Sequence, residues 1–188
     1  MEQKTPGDSQ TIMNELVLPN DTNPLNNLRG GRLLHWMDIC GAMSAQKHSR
    51  SVCVTASVDN VSFATAIKVG QVVTLTSKVV RTFTTSMEVY IEVWGQNLRT
   101  GEKCKSNDAF YTFVALDEEG RPKNVDPVYP QTVEETTLSQ NALLRRQLKL
   151  VMAGKQKLSK ADELRQRLEQ WINEDESLET NPFSKRGY

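Results

Sequence analysis

The chain has no surplus of either charge, because its 23 Lys and Arg are matched by 23 Asp and Glu. Binding a polyanion through net charge needs excess cations to displace condensed counterions, so no nucleic-acid partner is expected. Long apolar runs are missing too. Stretches such as Phe113–Leu116 fall far short of the roughly 20 residues that cross a bilayer, which argues against stable membrane insertion. The opening MEQKTPGDSQ lacks the apolar segment of a secretory signal, and a cytoplasmic address follows. Cysteine is scarce: Cys40, Cys53 and Cys104 are odd in number, widely spaced and form no CxxC pair. That pattern excludes a disulfide framework and gives no metal site, leaving reduced thiols packed as small apolar side chains. What is present, 188 residues with 38% hydrophobic and 24% charged, suits one globular domain with an appendage.

Residues 1–9 read as a disordered leader and 10–120 as the domain. Ile12 to Pro19 alternates weakly and gives a strand, followed by a polar loop from Asn20 to Arg29. From Gly30 to about His48, Leu33, Leu34, Met37, Cys40 and Ser44 recur at helical spacing. Val52–Val58, Val72–Arg81, Ser86–Trp94 and Ala109–Leu116 are rich in β-branched and aromatic residues and read as strands. Short links at Thr82–Thr85 and Asn97–Lys103 suit antiparallel neighbours. In Ser86–Trp94, Met87, Val89, Ile91 and Val93 make an apolar face opposite Glu88, Tyr90, Glu92 and Trp94, which predicts a sheet covered on one side. The class is α+β, an antiparallel sheet wrapped around a central helix. Three prolines between Asp117 and Pro130 make 121–131 a linker. Thr132 and Glu135 fit a capping box that opens a helix to about Ala153, which Gly154 ends. A further helix, with Leu164, Leu168, Trp171 and Ile172 as its stripe, completes a C-terminal helical extension over 132–175, before a tail at 176–188. The run from Leu144 to Lys157 is basic and amphipathic and reads as an oligomer contact.

The stretch Pro19–Ala42, PNDTNPLNNLRGGRLLHWMDICGA, carries the candidate chemistry. Gly30 and Gly31 open the helix with N–H groups that have no intrahelical acceptor, at the positive end of the dipole, where an oxyanion would be stabilised. The same pair also suits a tight loop or close packing. Asp38 shares a face with Leu34, Gly41, Ala42 and Ala45, where an unpartnered carboxylate is costly. Two readings stand: a structural carboxylate paired with Arg32 or Arg81, or a general base or nucleophile in a crevice. Eight helical residues rise about 12 Å, so Asp38 and the Gly30 N–H of one chain cannot reach the same carbonyl group. If both are catalytic they come from two subunits whose central helices run antiparallel across a two-fold axis. Asn23 either orients water or polarises a carbonyl through its amide, or is an ordinary turn residue. His35 and His48 read as structural, and Trp36, Trp94 and Trp171 as packing or interface residues.

These motifs, with VTASVDNVSF (54–63), IKVGQVV (67–73), TTSMEVYIEVW (84–94) and YTFVALD (111–117) in order, resemble the ACOT-type hotdog acyl-CoA thioesterases over about residues 10–120. Three positions depart from the pattern. Asn26 stands where a glycine is usual, Arg29 where an aromatic or His is common, and Gln71 where an acid is usual. The resemblance implies a hotdog fold and hydrolysis of acyl-CoA to a free acid and CoA. Asp38 would activate water, Asn23 of the other subunit would position it, and the Gly30 and Gly31 amides would hold the oxyanion. It also points to Thr85, Ser86 and the basic residues Arg50, Arg81 and Lys105 as candidates for gripping CoA, each of the three cations being otherwise an ordinary solvated charge. No cofactor is needed, CoA being part of the substrate. A homodimer, assembled as a trimer of dimers, is the expected state. A non-catalytic acyl-CoA-binding module on the same fold is the alternative.

Overall fold

The structure, a computed structural model, describes residues 3–59 and 61–152 of the chain. In chain order the elements are α1 (Pro6–Ser9), β1 (Thr11–Leu16), a 3₁₀ turn (Pro19–Asp21), α2 (Gly30–Ser49), β2 (Val52–Asp59), β3 (Val72–Thr82), β4 (Ser86–Gln96), β5 (Lys103–Leu116) and α3 (Val133–Met152). The five strands form one antiparallel sheet in the order β1-β3-β4-β5-β2, and α2 packs against all five. Residues through Ala142 make one compact unit; a second begins at Leu143, of which only the last part of α3 is described. The expected helix around Leu164–Ile172 lies outside the described residues, as do Gly154 and Trp171.

Helix α2 turns Leu33, Trp36, Met37, Cys40, Gly41, Ser44, Ala45 and His48 inward, the three-to-four spacing of a single buried face. It meets Met87, Val89, Ile91 and Val93 of β4 and Tyr111 and Phe113 of β5 in one core. The approach is closest at Gly41, where a Cβ would lie 3.0 Å from both Ile91 Cδ1 and Phe113 Cε2. A side chain there would have to push the helix off the sheet. A buried polar seam fixes the helix against β3: Ser77 Oγ donates to the Cys40 carbonyl at 2.8 Å and lies 2.7 Å from Ser44 Oγ.

Three expectations are corrected. β5 begins at Lys103 rather than Ala109, paired with Gln96 and continuous along β4 except for a bulge at Val93/Trp94. Its polar opening, KCKSN, hides the alternation. The sheet is not covered on one side alone, since Glu88 is buried opposite Arg81 and Val80 is fully buried. The first turns of α3 lie over that face, with Lys78 Nζ 3.1 Å from Glu135 Oε1. The leader is also ordered from residue 3: Ser9 Oγ accepts the Val79 N–H at 2.9 Å, and Lys4 Nζ reaches Asp126 at 2.7 Å. Residues 121–131 have no helix or strand, and N–H groups of Lys123 and Val125 reach the carbonyls of Ala115 and Thr84. At the start of α3, Thr132 Oγ1 accepts the Glu135 N–H, whereas the Glu135 carboxylate takes the N–H of Gln131 rather than that of Thr132.

His48 has a structural place, at the end of α2 and 2% exposed. Its Nε2 is 2.9 Å from the Asp126 carbonyl, which only accepts, so Nε2 carries the proton. Nδ1 is buried without a hydrogen-bond partner among the described residues. Burial outweighs the Asp126 bond and holds this imidazole below its usual pKa. The unfolded chain therefore takes up the proton more readily. The contribution is complete above about pH 6.5 and is lost as pH falls through the lower folded value. Between pH 8 and pH 5 the melting temperature should drop for the wild type and drop less for His48→Gln, whose amide keeps the donor; equal drops would refute the assignment.

Candidate functional site

The loop before α2 is built to hold the helix start open. Asp21, 3% exposed, sets its Oδ1 2.8 Å from Arg32 Nε, accepts the Leu18 N–H through Oδ2, and gives its carbonyl to the Arg29 N–H. Arg29 spends its guanidinium on the Asn20 carbonyl. Asn23 Oδ1 accepts the N–H groups of Leu25 and Asn27 at 2.9 and 3.1 Å. The side-chain N–H₂ of Asn23 is then the half without a bond in the chain among the described residues. Asn26 has φ 57°, a left-handed turn that Asn tolerates in place of the usual glycine. Gln71 likewise substitutes for the usual acid, its Oε1 accepting the Lys68 N–H at 2.7 Å.

Gly30 and Gly31 are the first two residues of α2, and no side chain caps them. The first N–H groups to find acceptors are those of Arg32 and Leu33, both on the Arg29 carbonyl. Among the described residues the first two amides, at the positive helix end, have no acceptor. A Cβ on Gly31 would meet nothing within 4 Å. No packing among the described residues accounts for that glycine.

Asp38 is paired with neither cation the structural reading offered. Arg32 is held by Asp21 and lies 5.2 Å over the Trp36 ring, and Arg81 Nη1 donates to the Ser139 carbonyl at 3.0 Å. The partner of Asp38 is instead Thr55 of β2, whose hydroxyl donates to Oδ1 at 2.5 Å. The carboxylate also lies near Tyr111: burial first, then the Asp38 charge, pushes that phenol up to about 12. Oδ1 of the carboxylate is thus oriented by Thr55. Because α2 is continuous from Gly30 through Asp38, the carboxylate and the free amides stay about 12 Å apart along the axis.

The CoA candidates do not converge in the chain. Arg50 is the left-handed C-cap of α2, the end opposite Gly30. Arg81 is committed to Ser139. Thr85 ends the link before β4, its carbonyl accepting the Ala115 N–H, and Ser86 opens β4. Lys105 reaches Asp108 at 2.6 Å and Glu92 at 3.0 Å. It pairs with Trp94, eight strand residues or about 26 Å from Ser86.

Sequence reasoning does not single out Asp21, Thr55 or Phe63, whose ring lies against Gly30, as site residues, although Thr55 and Phe63 fall in the VTASVDNVSF run that carries the resemblance. Asp21 sits in a polar loop and Thr55 in a β-branched strand, so only the fold tells them from their neighbours. Alongside Asp38, Ile39 and Met43 of α2 are exposed, as are Val52, Val54 and Val58 of the edge strand β2.

The family model described as thioesterase superfamily matches residues 25–102. An uncharacterised acyl-CoA thioester hydrolase of Bacillus subtilis, YkhA, is 41% identical over 138 residues, 73% of this chain and 80% of the relative. This chain belongs to the hotdog acyl-CoA thioesterase family. The family's members are thioester hydrolases, and their solved structures share the fold found here. An apo-hexameric acyl-CoA thioesterase is 41% identical with a TM-score of 0.79, over 83% of this chain and all of that one. The acyl-CoA hydrolase of Staphylococcus aureus, solved with butyryl coenzyme A, coenzyme A and coenzyme A disulfide, is 32% identical with a TM-score of 0.75 and covers 82% and 96% of the two chains. Against mouse acyl-coenzyme A thioesterase 11, 42% identical over 145 residues, the chain spans 24% of the relative's length. Among the described residues no cluster could hold a metal ion and no helix is long and apolar enough to cross a membrane.

Proposed function

We propose that this protein hydrolyses acyl-CoA to a free carboxylic acid and CoA at sites shared between two copies of the chain. The observation that carries this reading is the arrangement on α2: two uncapped amides at its start, and a hydroxyl-oriented carboxylate too far along the same helix to serve the same carbonyl. Antiparallel α2 helices of two protomers would bring the start of one toward the middle of the other. Asp38 takes a proton from water as the water oxygen bonds to the thioester carbon. The Gly30 and Gly31 amides of the other protomer receive the oxyanion, and Asn23 positions the water through its amide. Collapse of the intermediate breaks the C–S bond, and the departing thiolate recovers the proton. A thioester is reactive enough for these protein groups to suffice, with no resident cofactor.

Several features support the details. The Staphylococcus aureus enzyme was solved as alanine variants of an aspartate, a threonine and an asparagine. Its threonine lies seventeen positions after the aspartate, as Thr55 does after Asp38. Its asparagine lies fifteen before, as Asn23 does. Exposed valines on the edge strand β2 favour a dimer contact, and hexameric relatives favour a trimer of dimers. Free thiols favour a cytoplasmic location. For CoA, Arg50 remains the better candidate among the three cations, since Arg81 and Lys105 already have partners, and Thr85 and Ser86 remain the hydroxyl candidates. Thiol release from a panel of acyl-CoAs of graded length tests the reaction. Turnover of at least one member is expected; binding of CoA without turnover of any would favour the non-catalytic module.

A further inference from the structure

Phe63 stands in the segment between β2 and β3, and its ring lies against the first residue of α2. A Cβ on Gly30 would come within 3.2 Å of its Cζ and 3.3 Å of its Cε2. The residue is nonetheless 50% exposed. It lies outside the main hydrophobic cluster, which nearby Val61 does join. An aromatic side chain half in water, packed on a polar helix end, gains little as core. Its segment is also held to the site. Leu28 N–H donates to the Ile67 carbonyl at 2.7 Å, Val69 N–H to the Asn26 carbonyl at 3.0 Å, and Ser106 Oγ to the Thr65 carbonyl at 3.0 Å. Ile67, 3% exposed, anchors the far end. The Asn23 loop, the Phe63 segment and the start of α2 are therefore one connected assembly. Beside the ring, Gly31 faces open space.

We infer that Phe63 is a positioning residue for the thioester: its ring forms the apolar wall of the oxyanion site, keeping water from the Gly30 and Gly31 amides and setting the carbonyl against them. The inference rests on the hydrolase reading above. Amides shielded from water stabilise a developing oxyanion more strongly than solvated ones, because the local dielectric is lower. The oxyanion exists only after attack, so the benefit falls on kcat rather than on binding. The wall needs an apolar group of some bulk, not an aromatic as such.

The test compares Phe63→Ala, Phe63→Leu and Phe63→Gln in the full-length protein, by thiol release from the best acyl-CoA of the panel and by CoA binding. Phe63→Ala should lower kcat about tenfold, less than the 10² or more of losing an oxyanion donor outright, with KM and CoA affinity unchanged. Phe63→Leu should recover most of that loss; Phe63→Gln, of similar size but polar, should not. A merely structural Phe63 would give equal losses in Leu and Gln, or none, and either result overturns the inference, as does a loss confined to KM. Wild-type protein without turnover on any acyl-CoA would defeat the hydrolase reading instead, so the two failures are distinguishable.

Discussion

Asp38→Asn should lower kcat for acyl-CoA hydrolysis by about 10²- to 10⁴-fold, the range a positioned general base contributes, and leave CoA binding intact. The substitution keeps the shape of the side chain, and its Oδ1 can still accept the Thr55 hydroxyl. What it removes is the capacity to take a proton from water. Stability should change little. No ion pair is broken, because Arg32 is held by Asp21 and Arg81 by Ser139. The structural reading of Asp38 makes the opposite forecast: a loss of melting temperature with turnover largely retained. Initial rates of thiol release at saturating substrate, with CoA affinity by calorimetry and a thermal melt on the same preparation, separate the two. Retention of more than about a tenth of wild-type kcat would eliminate Asp38 as the base.

The fold was legible where one physical pattern governed a whole element. The period of α2 is fixed by a single buried face from Leu33 to His48, and in β4 the aliphatic residues Met87, Val89, Ile91 and Val93 alternate with Glu88, Tyr90 and Glu92. It was illegible where tertiary contacts override local composition. The opening of β5 looks like a loop because its residues are polar, yet pairing with β4 carries it on. The leader looks disordered because Pro6 and Gly7 break patterns, yet Lys4 and Ser9 tie it down. At the site the same division holds. Gly30, Gly31, Asp38 and Asn23 lie within one short stretch, where spacing makes them candidates and the family resemblance supplies the roles. Thr55 touches Asp38 from across the fold, and pairing of that kind leaves no trace in local spacing. Arg81 and Lys105 failed as free cations for the same reason: residues distant in sequence had already claimed them.

Two inactive variants should restore each other if the site is shared between chains. Asp38→Asn removes the base but leaves the amides and Asn23 of that chain whole. A second variant, Asn23→Asp with Gly31→Pro, damages the other half. Asp keeps the acceptor that holds Leu25 and Asn27, losing only the N–H₂. Pro at the second helical position deletes an amide that has no intrahelical partner, so no helix bond is lost. In a mixed dimer, one site combines both defects and is dead. The other takes its carboxylate from one chain and its amides from the other, and is wild type. Random pairing of equal amounts makes half of all dimers mixed, each with one good site of two. Co-expression should therefore recover about one quarter of wild-type activity, where each variant alone gives almost none. A site contained in a single chain forbids any recovery, since every chain in the mixture is defective. Co-purification through two affinity tags, followed by thiol release, decides the matter, and tagged hetero-oligomers isolated without activity would reject the shared site.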